Sequence, residues 1–175
     1  MTALEQPTLI VPLAITVRIG TRADLPKLEW YGQYAHHRNL FQRAYRDQQL
    51  GKRLILVADS NHFPIGHIFI LFISHERTFA DGKKRAYLYS LRVMDMFRGY
   101  GVGTCLIQAA ESAMQERGFD WSIIAVAKGN QAARRLYERL GYRVFGEDPG
   151  RWSYSDHEGK ARQVHEPCWL LHKRL

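Results

Sequence analysis

The segment Arg98-Gly99-Tyr100-Gly101-Val102-Gly103 places three alternating glycines and an arginine between an apolar, strand-like run (87–93) and a helix-like stretch (104–114). Glycine lets a backbone curl without Cβ clashes, so successive N–H groups can point into one concavity that binds an anion. A helix starting there adds its unpaired first-turn N–H groups and the positive end of its dipole, and Arg98 adds a charge-assisted donor. The chemistry of such a turn is the holding of a phosphate or pyrophosphate.

Spacing separates the motifs that share this logic. A Walker loop needs a lysine after its last glycine, and Gly103 is followed by Thr104. A GxGxxG dinucleotide fingerprint fails as well, because Thr104 or Leu106 stands where its final glycine belongs. What fits is [Arg or Gln]-x-x-Gly-x-[Gly or Ala], met by Arg98, Gly101 and Gly103. On these residues the segment resembles the acyl-CoA-binding motif of the GNAT superfamily of N-acetyltransferases. Val93 stands five positions before Arg98, as in that family's preceding strand, and NQAARRLYERLGY (130–142) resembles its second hallmark. Asp95 departs from the proline that many members carry there.

The resemblance implies a central mixed sheet whose fourth and fifth strands splay apart, with acetyl-CoA as cosubstrate in the gap. By the same resemblance, backbone groups of Leu91, Arg92 and Val93 hydrogen-bond the pantetheine arm. The pyrophosphate falls to Arg98, Gly99, Tyr100, Gly101, Val102, Gly103 and Thr104. Asn130 is a helix cap, with or without a cofactor contact. Tyr137 becomes the general acid for the leaving thiolate. The implied reaction is direct attack of a primary amine on the acetyl thioester, with the oxyanion steadied by a strand amide near Val93. Two other readings share the fold: an acetyltransferase of protein or peptide N-termini or lysines, and a CoA-sensing module without turnover. A basic nucleic-acid binder is the reading outside it.

The general base is missing from the pattern. Where some relatives carry a glutamate this chain has Tyr87, and His75, Glu76, Asp156, His157 and Glu158 read equally well as solvated loop residues. An α-amino group, with a pKa of about 8, needs less help than a lysine amine at about 10.4, so a missing base favours low-pKa amines or a water relay. Cys105, among small apolar helical residues, reads as a buried, inert thiol.

The elements that must position these groups follow from periodicity. Ile15, Val17 and Ile19 alternate as a half-buried first strand, and the aromatic-rich stretch 25–50 reads as one or two helices ended by Gly51. In those helices Tyr31, Tyr34, Phe41 and Tyr45 read as core, although in relatives this region and the loop 150–160 flank the acceptor site. Runs 53–59 and 65–75 pair as a hairpin across a turn-prone SNHFP. A helix ends at Gly118, a strand spans 121–127, and Asn130 caps a helix stopped by Gly141. Two last strands flank a polar loop, 148–166. The order supports a mixed α/β (α+β-like) fold with about six to seven strands and flanking helices.

The 175 residues carry a formal net charge of +8, with 46% hydrophobic and 24% charged residues. Those values suit a tail (1–13) and one globular acetyltransferase domain (14–175). The basic residues are dispersed, which favours a solvated basic face over a nucleic-acid footprint. Two cysteines make no disulfide framework and fit a cytoplasmic setting. Neither CxxC nor HExxH occurs, and His36 and His37, adjacent on a helix, would point apart, so no metal site is expected. The apolar stretch 8–17 is too short to span a bilayer. The expected partner is an amine-bearing substrate. A homodimer is conceivable if the last strand lies at a sheet edge.

Overall fold

The computed structural model describes residues 11–175, so most of the expected tail lies outside the described residues. Strands β1 (Thr16–Ile19), β2 (Arg53–Ser60), β3 (Phe63–Leu71), β4 (Arg85–Val93), β5 (Trp121–Ala127), β6 (Arg143–Asp148) and β9 (Cys168–Arg174) form one sheet in the order β1-β2-β3-β4-β5-β9-β6. All neighbours run antiparallel except β4 and β5, which run parallel. Helices α1 (Arg38–Gln49), α2 (Val102–Glu116) and α3 (Gln131–Arg139) complete the fold.

Strands β2 and β3 read as near-continuous apolar runs because both of their faces are covered. Ile55, Val57 and Phe69 pack with Phe41 and Ala44 of α1. Leu54, Leu56, Ile68 and Ile70 pack with Leu106, Ile107, Ala110 and Met114 of α2. The turn between them is Asn61-His62, both with left-handed φ (50° and 61°), the two-residue geometry that matches strand twist.

Four expectations change. Residues 22–37 form three short 3₁₀ turns rather than helix, because Trp30, Tyr31 and Gly32 all take positive φ. Burying the Trp30 indole, whose Nε1 donates to the Pro64 carbonyl at 2.8 Å, holds that path. Within it, the His36 and His37 rings do not point apart but lie 4.1 Å from each other. The polar loop is itself a hairpin, β7 (Arg151–Ser155) with β8 (Ala161–His165), turned by Asp156, whose carboxylate accepts from the Glu158 and Lys160 N–H groups. The last strand, β9, is interior, between β5 and β6, so it cannot offer an edge to a second copy.

Two side chains also fall elsewhere than expected. Cys105 is exposed, because the buried stripe of α2 runs through Val102, Leu106, Ile107, Ala110 and Met114 and leaves residue 105 outside it. Tyr31 is 90% exposed and stacks on Phe63, while Phe41 is core and Tyr34 and Tyr45 pack partly buried against it.

Candidate active site

The site begins with one extra residue. Pairing of β3 with β4 matches Phe69 to Tyr89 but His67 to Arg92, so β4 carries a bulge at Ser90-Leu91, where Ser90 takes φ 55°. Pairing of β4 with β5 runs from Arg85↔Trp121 to Leu88↔Ile124 and stops. Past Leu88 the two parallel strands part, as the resemblance implied.

A cavity of about 620 Å³ fills the gap. Leu91 and Arg92 line it from β4, Ala125 and Ala127 from β5, and Tyr137 from α3. The β7–β8 hairpin roofs it through Gly150–Ser153, and the segment before α1 closes it through His37. The hairpin is held down by Asn39, whose Nδ2 donates to the Asp156 carbonyl at 2.6 Å, and by an edge-on contact of Tyr154 with His37 at 5.4 Å.

The glycine segment lies at the end of β4. Gly99 and Gly101 take φ 81° and 85°, the left-handed region that favours glycine, and Gly101 is the residue before α2. Backbone bonding resumes where the Cys105 N–H donates to the Gly101 carbonyl at 3.0 Å. Among the described residues, the N–H groups of Gly99 through Thr104 make no backbone bond, so the nest and the first turn of α2 are free to meet an anion. Arg98 has structural partners of its own: Nε donates to the Val93 carbonyl at 3.0 Å, and an Nη sits 2.9 Å from Asp95. It staples the loop to the strand end, and its guanidinium is still largely exposed at the lip. Asn130 caps α3 by accepting from the Ala133 N–H at 3.1 Å.

Tyr137 is 8% exposed, and burial pushes its hydroxyl up to about 12, so it remains a proton-bearing donor at any working pH. Tyr87, in the place of the missing base, also lines the cavity, with its phenol raised chiefly by burial. Of the other candidate bases, only Glu76 reaches the cavity wall. Asp156 is buried and engaged by Arg162 at 2.6 Å, and His75, His157 and Glu158 are exposed.

Groups that the sequence reading passed over stand at the α1 end. His67 is fully buried on β3 among Trp30, Phe41 and Phe69, and neither ring nitrogen has a partner. Nδ1 of His37 is likewise buried and unpartnered. Burial first, then the charge of Arg92, holds both imidazoles down, His37 to about 4, so both are neutral. Arg92 lies over the Tyr34 ring at 4.6 Å and donates to Ser90 Oγ at 2.9 Å. One signal was available: His67 is the single ionisable residue in the otherwise apolar run IGHIFILF.

Val93, the nest residues Arg98 to Thr104 and Asn130 do not line the cavity, which holds Leu91, Arg92 and Tyr137 of the expected site residues. Fold and site together define a class: an α/β domain in which a parallel strand pair parts over a cavity, with a glycine nest between the first of those strands and the helix that follows it. The family model described as Acetyltransferase (GNAT) family matches residues 22–142, and the chain belongs to that family. Among curated proteins, it is similar to N-alpha-acetyltransferase 30 of Schizosaccharomyces pombe, 36% identical over 58 residues, 33% of this chain and 39% of that protein. It is also similar to the L-methionine sulfoximine/L-methionine sulfone acetyltransferase of Pseudomonas aeruginosa, 32% identical over 78 residues, 41% of this chain and 45% of that protein. The chain thus spans less than half the length of these curated relatives. Arabidopsis thaliana NAA60, solved in complex with acetyl-CoA, shares the fold with a TM-score of 0.68 at 19% identity, over 93% of this chain and 99% of that one. Among the described residues, no helix is long and apolar enough to cross a membrane.

Proposed function

We propose that this chain is an N-acetyltransferase that moves the acetyl group of acetyl-CoA to a primary amine by direct attack. The observation that carries the reading is the parting of β4 from β5 after Leu88 and Ile124, over a cavity that Tyr137 lines. Bound there, acetyl-CoA supplies a thioester whose carbonyl carbon takes the lone pair of a neutral amine as the C–S bond breaks; the amine loses a proton and the sulfur gains one.

The chain's own residues supply binding and proton control. The free N–H groups from Gly99 to Thr104, with Arg98 at the lip, suit the pyrophosphate. Backbone groups of Leu91, Arg92 and Val93, past the point where β5 stops pairing, suit the amides of the pantetheine arm, and Asn130 caps α3. Tyr137 donates a hydrogen bond to the sulfur as it departs. Similarity to the S. pombe enzyme supports a second reading, acetylation of a protein N-terminus, and the similarity to the P. aeruginosa enzyme supports a small-molecule acceptor. A CoA-sensing module without turnover has less support, since Tyr137 is present in the cavity wall.

Titration calorimetry with acetyl-CoA tests the reading. Wild type should bind, and Gly101→Val should lose about 10-fold or more in affinity. A β-branched residue is strained at φ 85°, while its Cβ meets nothing within 4 Å inside the protein, so the variant should still fold. No binding to folded wild type, or no thiol release with any amine of a broad panel, overturns the proposed function.

A further inference from the structure

Arg92 is a charge without a counter-charge. Its side chain is largely buried in the wall of the cavity, and of its five donors one is used, on the neutral Ser90 hydroxyl. Among the described residues no carboxylate ion-pairs or hydrogen-bonds with it. Its companions are neutral: the Tyr34 face at 4.6 Å and the imidazoles of His37 and His67. Arg53, elsewhere in the wall, is by contrast paired with Asp47 at 2.7 Å. An unpaired cation with little water around it is costly, and in a cavity wall an anion of the ligand would complete the pair.

The place of this charge defines the ligand. Arg92 and Tyr137 line one cavity, so an anion on Arg92 belongs to the molecule whose amine meets the acetyl group. A planar guanidinium with unused donors matches a carboxylate in two parallel hydrogen bonds. Tyr34 lies against its guanidinium, and Phe41 and Phe69 in the same cavity wall suit an apolar side chain. The cavity of about 620 Å³ also has to take the end of the acetyl-CoA arm, so the space left for the acceptor under the β7–β8 roof is of small-molecule size. Resting on the acetyltransferase reading above, we propose that the acceptor is a free amino acid or close analogue, an amine with its own carboxylate, and that Arg92 is the residue that binds this carboxylate.

The proposal separates the two acceptor classes by chemistry. In a protein N-terminus the carboxylate next to the amine has become an amide, which offers Arg92 one neutral carbonyl and brings no charge. A phosphorylated amine would bring two charges to a wall in which Arg92 is the one unpaired guanidinium that is not exposed, Arg43 and Arg151 standing at the solvent side.

Equilibrium binding tests this without depending on turnover. Calorimetric titration of wild type, with CoA present, uses a panel of N-acetyl-L-amino acids and the matching N-acetyl-L-amino acid amides, with N-acetyl-O-phosphoethanolamine as the phosphate arm. The best acid should bind about 10- to 100-fold more tightly than its amide. Arg92→Gln should weaken the acid by about 10-fold or more and the amide by no more than about threefold, so that the two converge, and Arg92→Lys should recover part of the loss. Equal binding of acid and amide by wild type, no binding of any acid, or tighter binding of the phosphate arm overturns the proposal. Failure of the acetyltransferase reading would show separately, as absent CoA binding or absent thiol release.

Discussion

Replacing Tyr137 by phenylalanine removes one hydroxyl from the cavity wall, and the structure bounds what that oxygen can do. Its pKa is pushed up to about 12 by burial alone. Burial raises the thiol in the same cavity as well, and a phenol is the weaker acid to begin with, about 10 against about 8.5, so complete transfer of the tyrosine proton to a thiolate runs uphill. The economical role is a hydrogen bond donated to the developing thiolate, with the proton itself coming from the acylated amine by way of solvent. A hydrogen bond to a charged partner is worth about 1.5–3 kcal/mol, so Tyr137→Phe should lower kcat by about 10- to 150-fold. Acetyl-CoA affinity should stay within about twofold. Among the described residues the hydroxyl has no hydrogen-bond partner that its loss would strand, so stability should change by less than about 0.5 kcal/mol. Steady-state assay of thiol release from about pH 6 to about pH 10 provides the check. A loss in kcat below about threefold refutes the donor role. A wild-type alkaline limb below about pH 10 that vanishes in the variant refutes the argument from burial.

Two further outcomes concern the frame around the site. At Gly150, φ is 62° and an added Cβ would stand 1.8 Å from the Glu166 carbonyl oxygen, so Gly150→Ala should break the base of the β7–β8 hairpin. Acceptor KM should rise by about tenfold or more while acetyl-CoA binding is kept, and calorimetry beside kinetics reads both. Asp24, 2% exposed, is pulled down from 3.8 to about 2, mainly by hydrogen bonds from Arg18 and less by the Thr21 backbone and hydroxyl, against the opposing effect of burial. A depressed carboxyl pKa stabilises the fold above about pH 4 and ceases to do so as pH falls through about 2. Discounted for the partly exposed Arg18, the effect is about 1–2 kcal/mol. Urea unfolding of wild type and Asp24→Asn at about pH 5 and about pH 2 should show that difference in wild type and its loss in the variant.

Legibility of the site in the sequence followed the range of the interactions. The nest was readable because its determinants are local: Gly99 and Gly101 need positive φ, and α2 begins at the next residue. Strand β5 and the capped helix α3 were readable for the same reason, with β-branched runs and Asn130 acting within a few residues. The hairpin β7–β8 was read as a loop because charged and polar residues fill it and apolar alternation is missing. It is held instead by long-range bonds, such as Asn39 to the Asp156 carbonyl and Glu166 N–H to the Gly150 carbonyl. Cys105 was misplaced because small apolar neighbours leave the stripe of α2 ambiguous by one position, and packing of Leu106 and Ile107 against the sheet decides it.

Arg92 was legible as a backbone position and not as a side chain, and the bulge explains why. Along β4, Ala86 and Leu88 face α2, while Tyr89 faces α1. Strict alternation would then put Arg92 with Ala86 and Leu88, a charge in the apolar core, and would turn Val93 toward α1. The extra residue at Ser90-Leu91 reverses the parity: Val93 packs into the α2 core, and Arg92 emerges on the α1 side over Tyr34. The same extra residue lies just beyond the point where β4 leaves β5. A single irregularity therefore stands where the gap for acetyl-CoA begins and sends a cation into the acceptor end of that gap. If the bulge served the gap alone, an apolar residue at position 92 would do as well, and would spare the cost of burying a charge. The arginine is what ties the geometry of the split to the chemistry of the acceptor.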